Sequence, residues 1–233
     1  MINYDQNEID KFNNLSQEWW DPQGELRTLH HINPVRLQFV KDNIILKNTK
    51  LIDVGCGGGI FAELLKRNGA NVTGIDLSAK AIEIAKLHLY ESHLEINYQC
   101  TSVEEMANNN PHHFDVLTCM EMLEHVPNPN IIIANCAKLL KPGGVAFFST
   151  LNRNLKSYVL GILAAEYILK LLPAGTHEYK KFIKPFELRN MLIQNNLELI
   201  DIKGLSYNPL TKAANISNDT SINYMVSCRK IEI

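Results

Sequence analysis

The sequence predicts an α/β fold built on a mostly parallel sheet. Three observations carry that reading: short apolar runs alternate with helical patterns, a glycine-rich loop closes the first run, and an acid closes the second. Strands separated by helices pair in parallel through right-handed crossovers. Ligands then belong at the carboxyl ends of the strands.

The elements follow in order. Ile9, Phe12, Leu15 and Trp19 stand at near-helical spacing and predict an amphipathic first helix. A second helix is expected to start at Pro34, with Asn33 as its N-cap. Both belong to an N-terminal helical cover over residues 1–48. The strand runs are LIDVGC (51–56), NVTGID (71–76), INYQC (96–100), FDVLTCM (114–120) and GVAFFST (144–150). Helices are expected near 59–68, 78–92 and 129–140, and Lys141-Pro142-Gly143-Gly144 stops the last of them. An insert at 151–184 interrupts the alternation with the apolar run YVLGILAAEYILKLL (158–172). A helix near Pro185, a strand near 197–207, a polar loop over 208–220 and a strand at 222–230 complete the chain.

Bulk properties set limits. At 233 residues, 45% hydrophobic and 21% charged, the chain suits one globular domain, 1–233, with elaborations. A net charge of −2 without basic blocks gives no reason to expect a nucleic-acid partner. Five cysteines in no zinc spacing predict reduced thiols in a cytosol-like compartment. The polar N-terminus resembles neither a secretory signal nor a transit peptide, and no apolar stretch is long enough to span a bilayer.

The chemistry concentrates in two segments. In Asp53-Val54-Gly55-Cys56-Gly57-Gly58-Gly59, glycines let the backbone turn sharply and approach a ligand. Asp76 ends the next strand. It is placed either to accept hydrogen bonds from ribose hydroxyls or to cap the helix near Ser78. A dinucleotide enzyme shares these features, but Asp53 beside a pyrophosphate is repulsive. Next to the ammonium end of S-adenosylmethionine it is attractive, and D-x-G-x-G-x-G fits that cofactor better than GxGxxG. The second segment, Met120-Glu121-Met122-Leu123-Glu124-His125, leaves the fourth strand where an acceptor should lie. Three readings stand open: a divalent metal site of Glu121, Glu124 and His125; His125 as a metal-free base; or local capping.

The segments WWDPQGELRTLHHINPVRL (19–37), LIDVGCGGGIFAE (51–63), MEMLEHVPNP (120–129), LKPGGVAFFSTLNRN (140–154), GTHEYKKFIKP (175–185) and SYNPLT (206–211) together resemble the ubiquinone-biosynthesis O-methyltransferases. The glycine and Lys-Pro-Gly-Gly segments are generic to class I methyltransferases; the first and fifth are more discriminating. The resemblance implies a Rossmann-like class I methyltransferase fold, with a seven-stranded sheet whose last strand is antiparallel. It implies two methylations on catechol-type hydroxyls of polyprenylated precursors. By position, Arg36, Gly55, Asp76 and Met120 are expected to bind cofactor, with Asp53, Gly57, Ser102 and Val103 beside them. Glu121, Glu124 and His125 match a cluster that holds Mg²⁺ or a similar ion. His177 is the next candidate base after Glu121 and His125. Arg36 also reads as a bidentate partner for the methionine carboxylate or as a surface ion pair. Residues 151–172, with Arg153, Lys156 and Lys170, suit a membrane surface, or else a lid or dimer contact. A bacterial enzyme on the cytoplasmic face of its membrane, in a ubiquinone-biosynthesis complex, is the implied setting.

Overall fold

The computed structural model describes residues 3–158 and 179–231. A strand in the middle of a parallel sheet is covered on both faces, so it reads as an unbroken apolar run. β1 (Lys50–Val54) and β4 (Phe114–Met120) are such strands, buried along almost their whole length. With β2 (Asn71–Asp76), β3 (Asn97–Cys100), β5 (Leu140–Leu151), β6 (Leu197–Asn208), β7 (Ala213–Ser217) and β8 (Asn223–Lys230) they form one sheet, ordered β3-β2-β1-β4-β5-β8-β6-β7. Pairing is parallel from β3 to β5; β8 runs antiparallel between β5 and β6. The chain runs outward from β1 to β3 and returns to β4 on the other side of β1. That reversal opens the crevice where α/β proteins hold ligands.

The helices form two layers. α2 (Arg27–Asn43), α3 (Ile60–Arg67) and α4 (Ala79–Ser92) cover one face through Phe39, Val40, Leu65 and Ala85 against Leu51, Val116 and Phe147. On the other face, α5 (Val103–Asn109), α6 (Pro129–Leu139) and α8 (Pro185–Gln194) bring Met106, Ile133, Cys136 and Leu188 against Ile52, Leu117 and Phe148. Between them lies a single helical turn, α7 (Leu155–Ser157). The first helix, α1 (Gln6–Asn14), leads through a 3-10 turn at Ser16–Glu18 to Trp19, which packs on Leu26, Ile60 and Ala81.

Three expectations are corrected and one helix is added. The sheet has eight strands, because the expected polar loop over 208–220 folds back on β6 as β7. β7 is half exposed at the sheet edge, so it carries little of the apolar pattern that marks a strand. The added strand leaves the expected antiparallel strand in place as β8. α2 begins at Arg27, so Pro34 lies inside it and Asn33 is no cap. An internal proline costs about 3 kcal/mol, which burial of Ile32, Leu37, Phe39 and Val40 offsets. Residues 103–109 are helical, N-capped by Ser102, whose Oγ accepts from Glu105 N. Finally, 141–144 bulge out of β5, between Leu140 paired with Phe114 and Val145 paired with Val116.

Most of the insert, including Lys170 and His177, lies outside the described residues. The described cations at its start are engaged within the protein: Arg153 with Glu187, and Lys156 with Asp219 at 2.7 Å. Among the described residues no helix is long and apolar enough to cross a membrane. All five cysteines are free.

Candidate active site

The glycine loop is shaped by backbone that side chains resist. Gly55, Gly57 and Gly59 have φ of 73°, 52° and 87°, the left-handed region that glycine enters without a Cβ penalty. Gly55 and Cys56 donate to Ile75 O at 2.9 and 3.0 Å, which folds the loop onto the end of β2. Asp76 then holds two elements. Its Oδ2 accepts from Gly57 N at 2.9 Å and its Oδ1 from Ser78 N at 2.8 Å. The N-cap of α4 is Ser78, whose Oγ accepts from Ala81 N. Burial raises the Asp76 pKa against the backbone donors of Ser78, Gly57 and Leu77.

Asp53 sits under the loop, 3% exposed, and accepts from Thr118 Oγ1 at 2.7 Å. Burial pushes its pKa up to about 7, with the Thr118 bond and the Arg36 charge opposing. Arg36 reaches in from α2 and is 3% exposed, which removes the surface-pair reading. Its Nη1 donates to Asn33 Oδ1 at 3.0 Å, so Asn33 positions the guanidinium. Its Nη2 stands 3.2 Å from Glu121 Oε1. Apart from that ion pair, Nε and Nη2 are buried without a satisfied hydrogen bond among the described residues. Those two nitrogens are one edge of the guanidinium fork, the edge that takes a carboxylate bidentately. The amino-acid end of S-adenosylmethionine fits it.

Glu121 leaves β4 with φ 52°, rare for a residue with a Cβ. Its N–H donates to Ser149 O, and its Oε1 accepts from Ser149 Oγ and Asn223 Nδ2, each at 2.9 Å. Glu124 is buried and accepts from Thr150 Oγ1 at 2.8 Å. Burial, then the charge of Glu121, push its pKa well above the carboxylate range. His125 turns the other way: its Nδ1 lies 2.8 Å from Glu8 Oε2, and its ring meets Phe12 edge-on. The expected ligand set of Glu121, Glu124 and His125 therefore does not converge. Among the described residues no three His, Cys, Asp or Glu side chains form a group suited to a metal.

The other expected residues divide. Met120 ends β4 at 8% exposure, but Met122 is the methionine beside the loop, its Cγ 3.0 Å from where a Cβ on Gly55 would lie. Ser102 and Val103 open α5, and Val103 packs in the core at 3% exposure. Sequence reasoning missed Glu8, Thr118, Ser149 and Asn223. Ser149 had a signal: alternation along GVAFFST puts it at the carboxyl end of a buried strand.

A methyltransferase-domain family profile matches residues 30–202. The ubiquinone biosynthesis O-methyltransferase of Thiobacillus denitrificans is 54% identical over 230 residues, covering 99% of each chain. That of Burkholderia pseudomallei is 49% identical over 230 residues, covering 99% of each. Among solved structures, a methyltransferase from Thermotoga maritima, described as a possible histamine N-methyltransferase, superposes with a TM-score of 0.66 at 17% identity, covering 97% of this chain and 100% of that one. Magnesium protoporphyrin IX methyltransferase from Synechocystis with bound S-adenosylmethionine gives 0.65 at 16% identity, covering 97% and 96%. These two likenesses carry the fold; the sequence relatives carry the family. The chain belongs to the ubiquinone biosynthesis O-methyltransferase family of S-adenosylmethionine-dependent methyltransferases.

Proposed function

We propose that this O-methyltransferase acts on catechol-type hydroxyls of polyprenylated ubiquinone precursors, at both O-methylation steps. The observation that carries the reading is Arg36, a buried guanidinium that α2 brings to the tips of the central strands, with Nη2 paired to Glu121 and no hydrogen bond satisfied on its Nε–Nη2 edge among the described residues. Arg36 takes the cofactor carboxylate, Asp53 faces the ammonium group, and Asp76 accepts the ribose hydroxyls. Gly55 and Gly57 allow close backbone approach, and Met120 at the end of β4 with the backbone of Ser102 and Val103 at the start of α5 completes the contacts. When bound, S-adenosylmethionine supplies an electrophilic methyl group on a sulfonium centre.

A phenol of pKa near 10 is almost wholly protonated at neutral pH, so the reaction needs a base. His125 Nδ1 lies within hydrogen-bond distance of Glu8 Oε2; in this reading Nδ1 carries the ring proton and Nε2 is the basic nitrogen. His125 takes the acceptor proton there, and the Glu8 carboxylate stabilises the imidazolium that forms. Glu121, held by Ser149 and Asn223, accepts from the neighbouring hydroxyl of the catechol. His177 is the alternative base.

The polyprenyl tail of the acceptor resides in a bilayer. We therefore place the enzyme on the cytoplasmic face of a bacterial membrane, docked through residues 151–172 and working within a ubiquinone-biosynthesis complex. Leu155, 76% exposed at the start of that stretch, supports it.

The test is methyl transfer to a prenylated catechol under thorough chelation. The wild-type rate is expected to persist, and His125→Ala to lose 10²–10⁴-fold in kcat. A His125→Ala enzyme at full rate sinks the base assignment. A rate that collapses with chelator and returns with Mg²⁺ would restore Glu121, Glu124 and His125 as a metal site.

A further inference from the structure

The chain has two tryptophans, and both lie on the glycine loop. Trp20 is fully engaged: its Nε1 donates to Gly58 O at 2.9 Å, and its ring stacks on His88 at 3.4 Å and 4°. Trp19 is not. Its ring lies along the loop so closely that a Cβ on Gly57 would fall 2.2 Å from Cη2, and one on Gly58 2.4 Å from Cγ. It is 9% exposed, and its Nε1–H is buried without an acceptor among the described residues. Buried indole N–H groups usually find a partner, and an orphan one is destabilising.

The segment that carries Trp19 is held down by polar latches. Asn3 and the Asn128 backbone exchange two hydrogen bonds, at 3.0 and 2.9 Å. Glu8 pairs with His125, and Asn13 Oδ1 accepts from Ser78 Oγ at 2.7 Å. These partners follow β4 and β2, the strands that flank β1. Glu8 is the one buried residue of α1; the apolar hold on the segment is Trp19 itself, with Phe12 and Leu15 half-buried against the cluster of Trp19, Leu26, Ile60 and Ala81. After Trp20 the chain turns at Asp21–Gly24, where the Asp21 side chain accepts from Gln23 N. Elements held by few apolar contacts open at low free-energy cost.

We propose that residues 3–20 are a lid over the cofactor pocket and that Trp19 is a cofactor-binding residue on it. Its ring roofs the nucleoside-amino-acid ligand, and its N–H donates to that ligand. Exchange of cofactor for product requires the latches at Asn3, Glu8 and Asn13 to release. The proposal rests on the glycine loop holding S-adenosylmethionine.

The experiment is titration with S-adenosylhomocysteine, read by calorimetry and by tryptophan emission. In Trp20→Phe, where Trp19 is the sole indole, emission is expected to change saturably with the calorimetric isotherm. Should Trp20→Phe not fold, the wild-type signal minus that of Trp19→Phe isolates Trp19. Trp19→Phe keeps the aromatic packing and loses the N–H; a fivefold or larger loss of affinity is expected. The Asn3→Ala, Asn13→Ala double variant should speed both association and dissociation several-fold in stopped flow. Calorimetric binding with unchanged Trp19 emission, and wild-type affinity in Trp19→Phe, would overturn the proposal while leaving the cofactor site intact. No binding to the wild type would overturn both.

Discussion

Asp53 carries a carboxyl that burial raises to about 7, under a loop expected to receive a cation. An ammonium group beside it favours the ionised form, so the bound state holds fewer protons. Affinity for S-adenosylhomocysteine should therefore rise about tenfold from pH 6 to pH 8 and then level. Calorimetry in buffers of different ionisation enthalpy reads the released proton; a flat affinity would place the ammonium elsewhere. Glu8 has the opposite sign. Burial works against its ionisation, but the hydrogen bonds and charges of His125 and Lys11 bring it from 4.5 to about 2. A depressed carboxylate stabilises the fold fully above its unfolded value and loses that contribution as pH falls through the folded one. Glu8→Gln should thus flatten the stability curve between pH 4.5 and 2 and lower stability at neutral pH. An unchanged acid limb in denaturant titrations would contradict the pairing. At this scale the position of Asp76 at the end of β2, beside the glycine loop, was legible from its motif, whereas the burial of Arg36 was one of two readings the sequence left open. The direction of His125 was not legible: its partner lies 117 residues away, on a helix whose docking no local pattern encodes.

Elements explain how those residues meet. The central strands were legible because burial on both faces writes an unbroken apolar run. β7 was hidden by its half-exposed edge position, and α5 by its seven-residue length. The start of α2 was misplaced because proline usually marks a boundary, and here packing of the helix against the sheet outweighs it. The glycine loop offers a sharper test. Gly58 has no positive φ, but a Cβ there meets Trp19 Cγ at 2.4 Å. Gly58→Ala is therefore expected to cost about 1–3 kcal/mol by overpacking, without backbone strain, in chemical denaturation. A neutral substitution would mean that Trp19 does not rest on the loop.

At the scale of the whole molecule, the described residues form a three-layer sandwich in which the order of strand addition, not the strand direction, reverses between β1 and β4. Glycine loop, Asp53 and Glu121 all stand on those two strands or at their tips, and Arg36 comes to them from the helix that covers β1. In the proposed function, donor and acceptor subsites are adjacent strand tips, the arrangement that in-line transfer needs. Positioning of this kind supplies roughly 7–11 kcal/mol of a barrier. In the proposed function, the polyprenyl tail and the membrane enter only at this scale, through the insert after β5. The most direct measurement is transfer of a labelled methyl group from S-adenosylmethionine to a prenylated catechol by the purified wild-type protein. The expected product is a labelled ring methyl ether, formed once per turnover with one S-adenosylhomocysteine. Saturating donor and acceptor with no labelled ether, from protein that binds S-adenosylhomocysteine, would contradict it.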